Sequence, residues 1–353
     1  MRTLLGILAA ALAVPLASAA PSTAAPSSPA PPAGRAVLTW EHVDVSTDQQ
    51  LRGLDGVNDR TAWVGGSEGG VWRTTDGGKT WKNVSPKGAK GLLFRDVEAA
   101  SAKVALVLAI GEGRDSRIYR TTNGGRSWTK AFVNQDEKAF YDCMAMWPGD
   151  KNGLAMSDPV HGKFRIIATH DGGASWKKLS SKGMPAAEKG EFGFAASGSC
   201  LATAGHRDGY LASGGTASRI FVTRDRGRHW SVRTSTIPAA AAGGVFSIAF
   251  RSGHGIAVGG DFEAEDNGEN MAAFSRGGRT WHNAGDLSGY RSGVDWRTAH
   301  MAVAVGPNGS DVSRDGGKTW DRFSQLDLDA VQCVTGGCWG SGPEGTVVRL
   351  VRG

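Results

Sequence analysis

The chain has 353 residues, of which 40% are apolar, and carries a net charge of +6. This is enough apolar matter for one large domain or two small ones. Its basic residues are scattered among acidic ones, with no Lys/Arg block interleaved with aromatics, which excludes nucleic acid as the partner but leaves an anionic surface or polymer open.

The chain begins MRTLLGILAAALAVPLASAA. Arg2, the apolar run Leu4 to Leu16 and the small residues Ala17-Ser18-Ala19 predict a secretory signal over 1–19, removed near Ala19 or Ala20. The Pro/Ala/Ser-rich stretch that follows predicts a linker over 20–35. The folded part is expected over 36–353, secreted or periplasmic, with no transmembrane segment after signal removal. Beyond residue 35 there is no long amphipathic helical pattern. The 52 glycines have no three-residue period and predict many turns between short strands.

TTDGGKTW, ending at Trp81, then returns as TTNGGRSW (Trp128), THDGGASW (Trp176), TRDRGRHW (Trp230), FSRGGRTW (Trp281) and SRDGGKTW (Trp320). The intervals between these tryptophans are 47, 48, 54, 51 and 39 residues, the period of a four-stranded propeller blade. Between boxes lie runs such as TAWVGG, VALVLAIG, GIAVGGD, MAVAVGP and GCWGSGP, seven in all, each followed by a short strand. The seventh such strand, GTVVRLV, has no box behind it. LTWEHVDV (Leu38 to Val45) looks like the strands that follow the other boxes, and Trp40 lies 41 residues before Trp81. The fold class predicted is all-β: a seven-bladed β-propeller of four-stranded antiparallel blades, its ring closed by the N-terminal strand completing the C-terminal blade.

The boxes read as structural turns. Their Thr or Ser and the residue two later (Asp76, Asn123, Asp171, Asp225, Asp315) suit hydrogen bonds within the turn. The glycines take positive φ, and Trp81, Trp128, Trp176, Trp230, Trp281 and Trp320 bury against the blade. Arg276 in place of Asp makes the fifth turn the loosest expected. The four cysteines suit an oxidising compartment. Cys333 and Cys338 flank a hairpin-like VTGG, which suits a cross-strand bridge and leaves Cys143 and Cys200 as the second pair. Neither a CxxCH haem attachment nor a paired CxxC zinc pattern is present.

The pattern T/S-x-D-x-G-x-x-W resembles the Asp-box, or BNR, repeat of sialidases, xyloglucanases, sortilin-type receptors and photosystem II stability/assembly factors, over Trp40 to the end. MSDPV, FAASGS, FSIAF, AVGGD, GYRSGV and AVGPNGSDVS look closer to exported bacterial proteins of the assembly-factor-like group. The resemblance implies architecture far more than activity. It also implies where a site lies: on the face opposite the boxes, at the mouth of the axis.

With strands A to D numbered outward from the axis, that face carries the starts of the A strands and the B–C loops. The residues expected there include Arg52, Arg95, Tyr141, Asp142, Glu191, Tyr290 and Arg291 from the A-strand starts. The B–C loops add Glu68, Glu112, Asp158, Asp261 and Glu344. A sialidase needs an arginine triad, for which Arg52, Arg95 and Arg291 are the candidates, but the Arg-Ile/Leu-Pro start is missing and sialidases have six blades. A glycosidase needs two carboxyls about 5–9.5 Å apart, with Asp142, Asp158, Glu191 and Asp261 the candidates. Xyloglucanases of this type carry two propellers, and this chain is half that length. Without GxGxxG, a haem motif or a histidine cluster, no cofactor and no metal is expected. The favoured reading is a monomeric binding scaffold for a protein or carbohydrate ligand, using Arg52, Arg95, Tyr141, Asp158, Asp261, Tyr290 and Arg291. The alternative is a glycoside hydrolase.

Overall fold

The computed structural model describes residues 37–149 and 151–352; the expected signal and linker lie outside the described residues. Among the described residues strands dominate, with only two single-turn 3₁₀ segments, Gly113–Asp115 and Ser181–Gly183.

The strands form seven antiparallel blades around one axis. The A strands of blades 1 to 7 are Leu51–Gly56, Leu93–Ala99, Tyr141–Met146, Leu201–Ala204, Gly243–Arg251, Gly293–Trp296 and Ala330–Val334. Blade 7 closes the ring as expected: its outermost strand is Leu38–Val43, paired with Val347–Arg352 in the register Trp40 to Leu350. Trp40 Nε1 donates to Ser310 Oγ of blade 6 at 3.0 Å, so the seam is also tied to its neighbour. A short pair, Glu191–Phe192 with Gly214–Gly215, adds to the sheet of blade 5 through Gly214 and Gly244.

Burial follows position in the blade. The B strands Ala62–Gly66, Ala105–Ile110 and Ala302–Gly306 are buried along their whole length, because each is covered on both faces by adjacent blades. This is why they read as continuous runs of Ala, Val, Leu and Gly rather than as alternating patterns. The outer strand Lys82–Asn83 is exposed. Between blades, indole N–H groups donate to the next blade's backbone, as Trp63 does to Ser101 O at 3.1 Å and Trp339 to Asn58 O at 3.1 Å. Inner-strand acids do the same work nearer the axis. Asp55 accepts from Ala99 N (2.5 Å), Asp96 from Met144 N (2.5 Å) and Asp295 from Cys333 N (2.6 Å).

The box turns join strands C and D. In the first, Thr74 Oγ1 donates to Asp76 Oδ1 (2.8 Å) and accepts from Gly78 N (3.0 Å). Asp76 accepts from Thr80 N (3.0 Å) and Thr80 Oγ1 (2.6 Å). These bonds, led by the Thr80 hydroxyl, hold the Asp76 carboxyl down at about 2. Gly78 has φ 87°, and a Cβ there would sit 3.0 Å from Val43 Cγ1 of blade 7. The turn therefore needs glycine for conformation and for close packing on the preceding blade. The same bonds recur around Asp171 and Asp315, and Asn123 reproduces them with its amide donating to Ser127 Oγ at 2.7 Å. In the fifth box Phe274 and Arg276 replace the hydroxyl and carboxyl residues, and Ser275 Oγ donates to Thr280 O at 2.5 Å instead. Box tryptophans reach the previous blade, Trp81 meeting Trp339 edge-on at 6.0 Å and Trp128 meeting Trp63 at 6.1 Å.

Two disulfides are present. Cys333–Cys338 spans a hairpin in blade 7, and Cys143–Cys200 ties blade 3 to blade 4.

Candidate functional site

One mouth of the axis is hollowed into a cavity of about 590 Å³, and every blade contributes to its wall. Its lining residues lie at or just before A-strand starts, at B-strand ends or on B–C loops, so it opens on the face away from the box turns. Its volume is that of a small-ligand or side-chain pocket.

The wall has three chemically distinct parts. The first is cationic and partly neutralised. Arg52 Nε pairs with Asp329 Oδ1 at 3.1 Å, and Gln50 Nε2 donates to Asp329 Oδ2 at 3.0 Å. Arg95 donates to Ala195 O at 2.9 Å. Burial, reinforced by the Arg52 charge, lowers the Arg95 guanidinium to about 10. Burial also raises the Asp329 carboxyl despite Arg52. Asp327 beside it is pushed up to about 6, by desolvation and then by Asp329 and Glu265.

The second part is acidic. Asp142 on the A strand of blade 3 is 2% exposed, and its Oδ2 has no hydrogen-bond partner. Asp158, on the B–C side of the same blade, accepts from Gly193 N at 2.8 Å. Desolvation raises Asp158 to about 6, and desolvation with the Asp158 charge raises Asp142 well above the carboxylate range. A bulge between Tyr141 and Cys143 accompanies this placement.

The third part is aromatic. Phe194 stacks on Phe246 with centroids 3.7 Å apart, Tyr290 meets Phe246 at 4.7 Å, and Phe262 stands edge-on to both phenylalanines at 6.4 and 6.3 Å. Phe262 is 47% exposed, an unusual exposure for a large apolar side chain in this molecule. Burial raises the Tyr290 hydroxyl far above its ordinary value.

Of the residues singled out from sequence, Arg52, Arg95, Asp142, Asp158 and Tyr290 share this cavity. Glu68, Glu112 and Glu344 do not line it, and neither do the four remaining catalytic or binding candidates. Arg291 is fully buried: its guanidinium bonds Asp311 (2.7 Å), Asn308 (2.6 Å), Tyr290 O (2.7 Å) and Ser288 (2.5 Å), so its donors are committed inside the protein. Glu191 is held by Arg219 and by Ser213 Oγ at 2.6 Å. Asp261 accepts from Glu263 N at 2.9 Å, closing its own loop. Tyr141 packs edge-on to Phe132 at 5.1 Å.

Sequence reasoning missed Gln50, Glu265, Asp327 and Asp329 in the cavity wall. Asp327 and Asp329 lie in the segment leading into a blade 7 A strand, where the same positional rule that found Arg52 applies. Among the described residues no group of His, Cys, Asp and Glu is placed to hold a metal ion, and no helix is long and apolar enough to cross a membrane.

Fold and cavity together define a closed seven-bladed all-β propeller with a ligand-sized cavity at one mouth of its axis. The family model described as sortilin, neurotensin receptor 3 (Sortilin-Vps10) matches residues 69–187, a stretch holding the first three boxes. No curated protein sequence matches the chain. Among solved structures it is similar to YCF48 bound to D1 peptide, at 16% identity and TM-score 0.64 over 89% of this chain and 95% of that one. YCF48 from Cyanidioschyzon merolae gives 18% identity and TM-score 0.61, over 88% and 98%. The GH74 enzyme of Niastella koreensis gives 14% identity and TM-score 0.60, over 88% of this chain but 53% of that one. At these identities the likeness is one of fold.

Proposed function

We propose that the protein is an exported, monomeric Asp-box propeller that binds a protein or carbohydrate ligand in the axial cavity opposite its box turns. The observation that carries this reading is the cavity wall itself: an aromatic face set between guanidinium and carboxyl groups, drawn from seven blades. A fold repeat needs uniform residues in every blade, whereas these differ from blade to blade. Such a wall suits selective recognition of a ligand with both apolar and charged parts. The two disulfides support a site of action outside the cytoplasm. The solved YCF48 structure holds a D1 peptide, which favours a protein ligand for this shape of propeller without naming the client here.

Peptide and glycan arrays test the reading. Specific, saturable capture by the wild-type chain that is lost in Arg95→Ala and Phe262→Ala supports it. Capture that survives both substitutions places binding elsewhere.

A second reading, a glycoside hydrolase, draws on the raised carboxyls of Asp142 and Asp158, since an acid near 6 is suited to protonating a leaving oxygen. Incubation with a panel of β-glucans, xyloglucan and sialosides separates the two. Turnover abolished by Asp158→Asn favours the hydrolase; saturable binding without turnover favours the binding module.

A further inference from the structure

The acidic part of the cavity holds two carboxyls on one wall. Among the described residues neither has an ion-pair partner: Asp158 accepts a hydrogen bond from the backbone of Gly193, and Asp142 Oδ2 is buried and unpartnered. Nearby cations are engaged elsewhere, Arg165 by Asp136 at 2.6 Å and Arg95 by Ala195 O. Position 193 packs beside the Asp142 carboxyl and lines the cavity with it. A Cβ there would lie 3.3 Å from Asp142 Oδ2 and 2.6 Å from Met156 Cε, so glycine leaves the most space beside the carboxyl. From Gly193 the wall runs directly into Phe194, its stacked partner Phe246 and the exposed Phe262. A buried carboxyl oxygen without a partner costs free energy that a fitting donor removes. Aromatic faces beside it favour a cation over an anion.

We infer that this wall is a subsite for a cationic nitrogen, a primary ammonium or guanidinium group of the ligand held by Asp142 and Asp158, with its apolar stem on Phe194, Phe246 and Phe262. The inference rests on the cavity being the binding site and adds the charge and shape of what enters it. The cavity as a whole agrees with it. Besides this pair, Glu265, Asp327 and Asp329 bring further carboxyls against two guanidiniums, one of which already pairs with Asp329.

The test uses the full chain and three probes of similar size: 2-phenylethylammonium, 2-phenylethanol and 3-phenylpropionate, titrated near neutral pH by calorimetry and by saturation-transfer NMR. The ammonium probe is expected to bind about tenfold more tightly than the alcohol. Asp142→Asn and Asp158→Asn should each remove most of that preference, and Glu41→Gln, on the exposed outer strand of blade 7, should leave it intact. Should Asp142→Asn fail to fold, as judged by its melting curve, the preference within the wild type and in Asp158→Asn decides. Equal binding of ammonium and alcohol, or a preference that survives the substitutions in folded protein, overturns the subsite while leaving the cavity as a binding site. Failure of all three probes to bind the wild type overturns the cavity reading together with the subsite.

Discussion

Arg291 offers a sharp test of how charge is used inside this propeller. Its guanidinium is fully buried and donates to Asp311, Asn308, Ser288 and the Tyr290 carbonyl, with Asp311 itself almost wholly buried. Replacing it by Met keeps much of the stem volume but leaves the Asp311 carboxylate without its counter-charge. Asp311 retains the Ser288 hydroxyl and N–H, at 2.8 and 3.2 Å, which cannot neutralise it. Breaking a buried pair from one side costs about 3–5 kcal/mol, a large part of the ~5–15 kcal/mol that holds a typical domain folded. In a chain of this size that corresponds to a fall in Tm of roughly 5–8 °C. Urea denaturation followed by tryptophan fluorescence, with thermal melting alongside, measures it. The double variant Arg291→Met/Asp311→Leu should recover part of the loss, because both desolvated charges then leave together. A loss below about 1 kcal/mol for Arg291→Met would show that the pair is not buried and committed as described.

Other outcomes follow from the same structure. The Cys143–Cys200 bridge closes a separation of 57 residues and Cys333–Cys338 one of 5, so serine pairs should cost about 4 and about 2 kcal/mol respectively in urea titrations; equal losses would contradict the loop argument. Thr169→Val keeps shape in the third box but leaves Gly173 N without its 2.9 Å acceptor, and should cost about 1–3 kcal/mol, whereas Ser at this position should be nearly neutral by thermal melting. Asp171 is held at about 2, first by the Ser175 hydroxyl, against 3.8 in its ordinary state. The destabilisation by Asp171→Ala should therefore be full above about pH 4 and fade as the pH falls towards about 2 in acid melts. Asp158 has the opposite sign. Its folded-state value of about 6 exceeds 3.8, so the native state holds a proton that the unfolded chain has released between these values. Stability is thereby lost as pH rises through the window, and Asp158→Asn should gain on wild type from about pH 4 to about pH 7 in denaturant midpoints; a constant difference would refute the assignment.

Sequence carried the architecture well because the fold repeats. Trp40 reveals the closing strand through its spacing from Trp81 and its likeness to the strands after the other boxes, without a box of its own, and its pairing with the last strand follows from the need to cover an edge. The site was legible only in part. Antiparallel order locates A-strand starts and B–C loops on one face, which is how Arg52, Arg95, Asp142, Asp158 and Tyr290 were reached. It does not say which way each side chain turns. Tyr290 lines the cavity and its neighbour Arg291 does not, because adjacent residues of an extended segment point to opposite sides and Asp311 waits on the inner one. Glu191 likewise meets Arg219, a partner 28 residues away that no local pattern indicates. Phe194 sits in an irregular stretch with no period to read, and only the stack on Phe246 shows what it does.

The central claim is that the axial mouth, and not the box face, is where this protein meets its ligand. It is tested most directly by comparing peptide and glycan array capture between a cavity variant, Arg95→Ala/Phe262→Ala, and a box-face variant, Arg60→Ala, an exposed residue whose carbonyl accepts from Gly77 N of the first box at 2.9 Å, both confirmed folded by melting. The account predicts that the ligands captured by wild type persist with Arg60→Ala and drop at least about tenfold in affinity with the cavity variant. Retention by the cavity variant with loss in Arg60→Ala would contradict it.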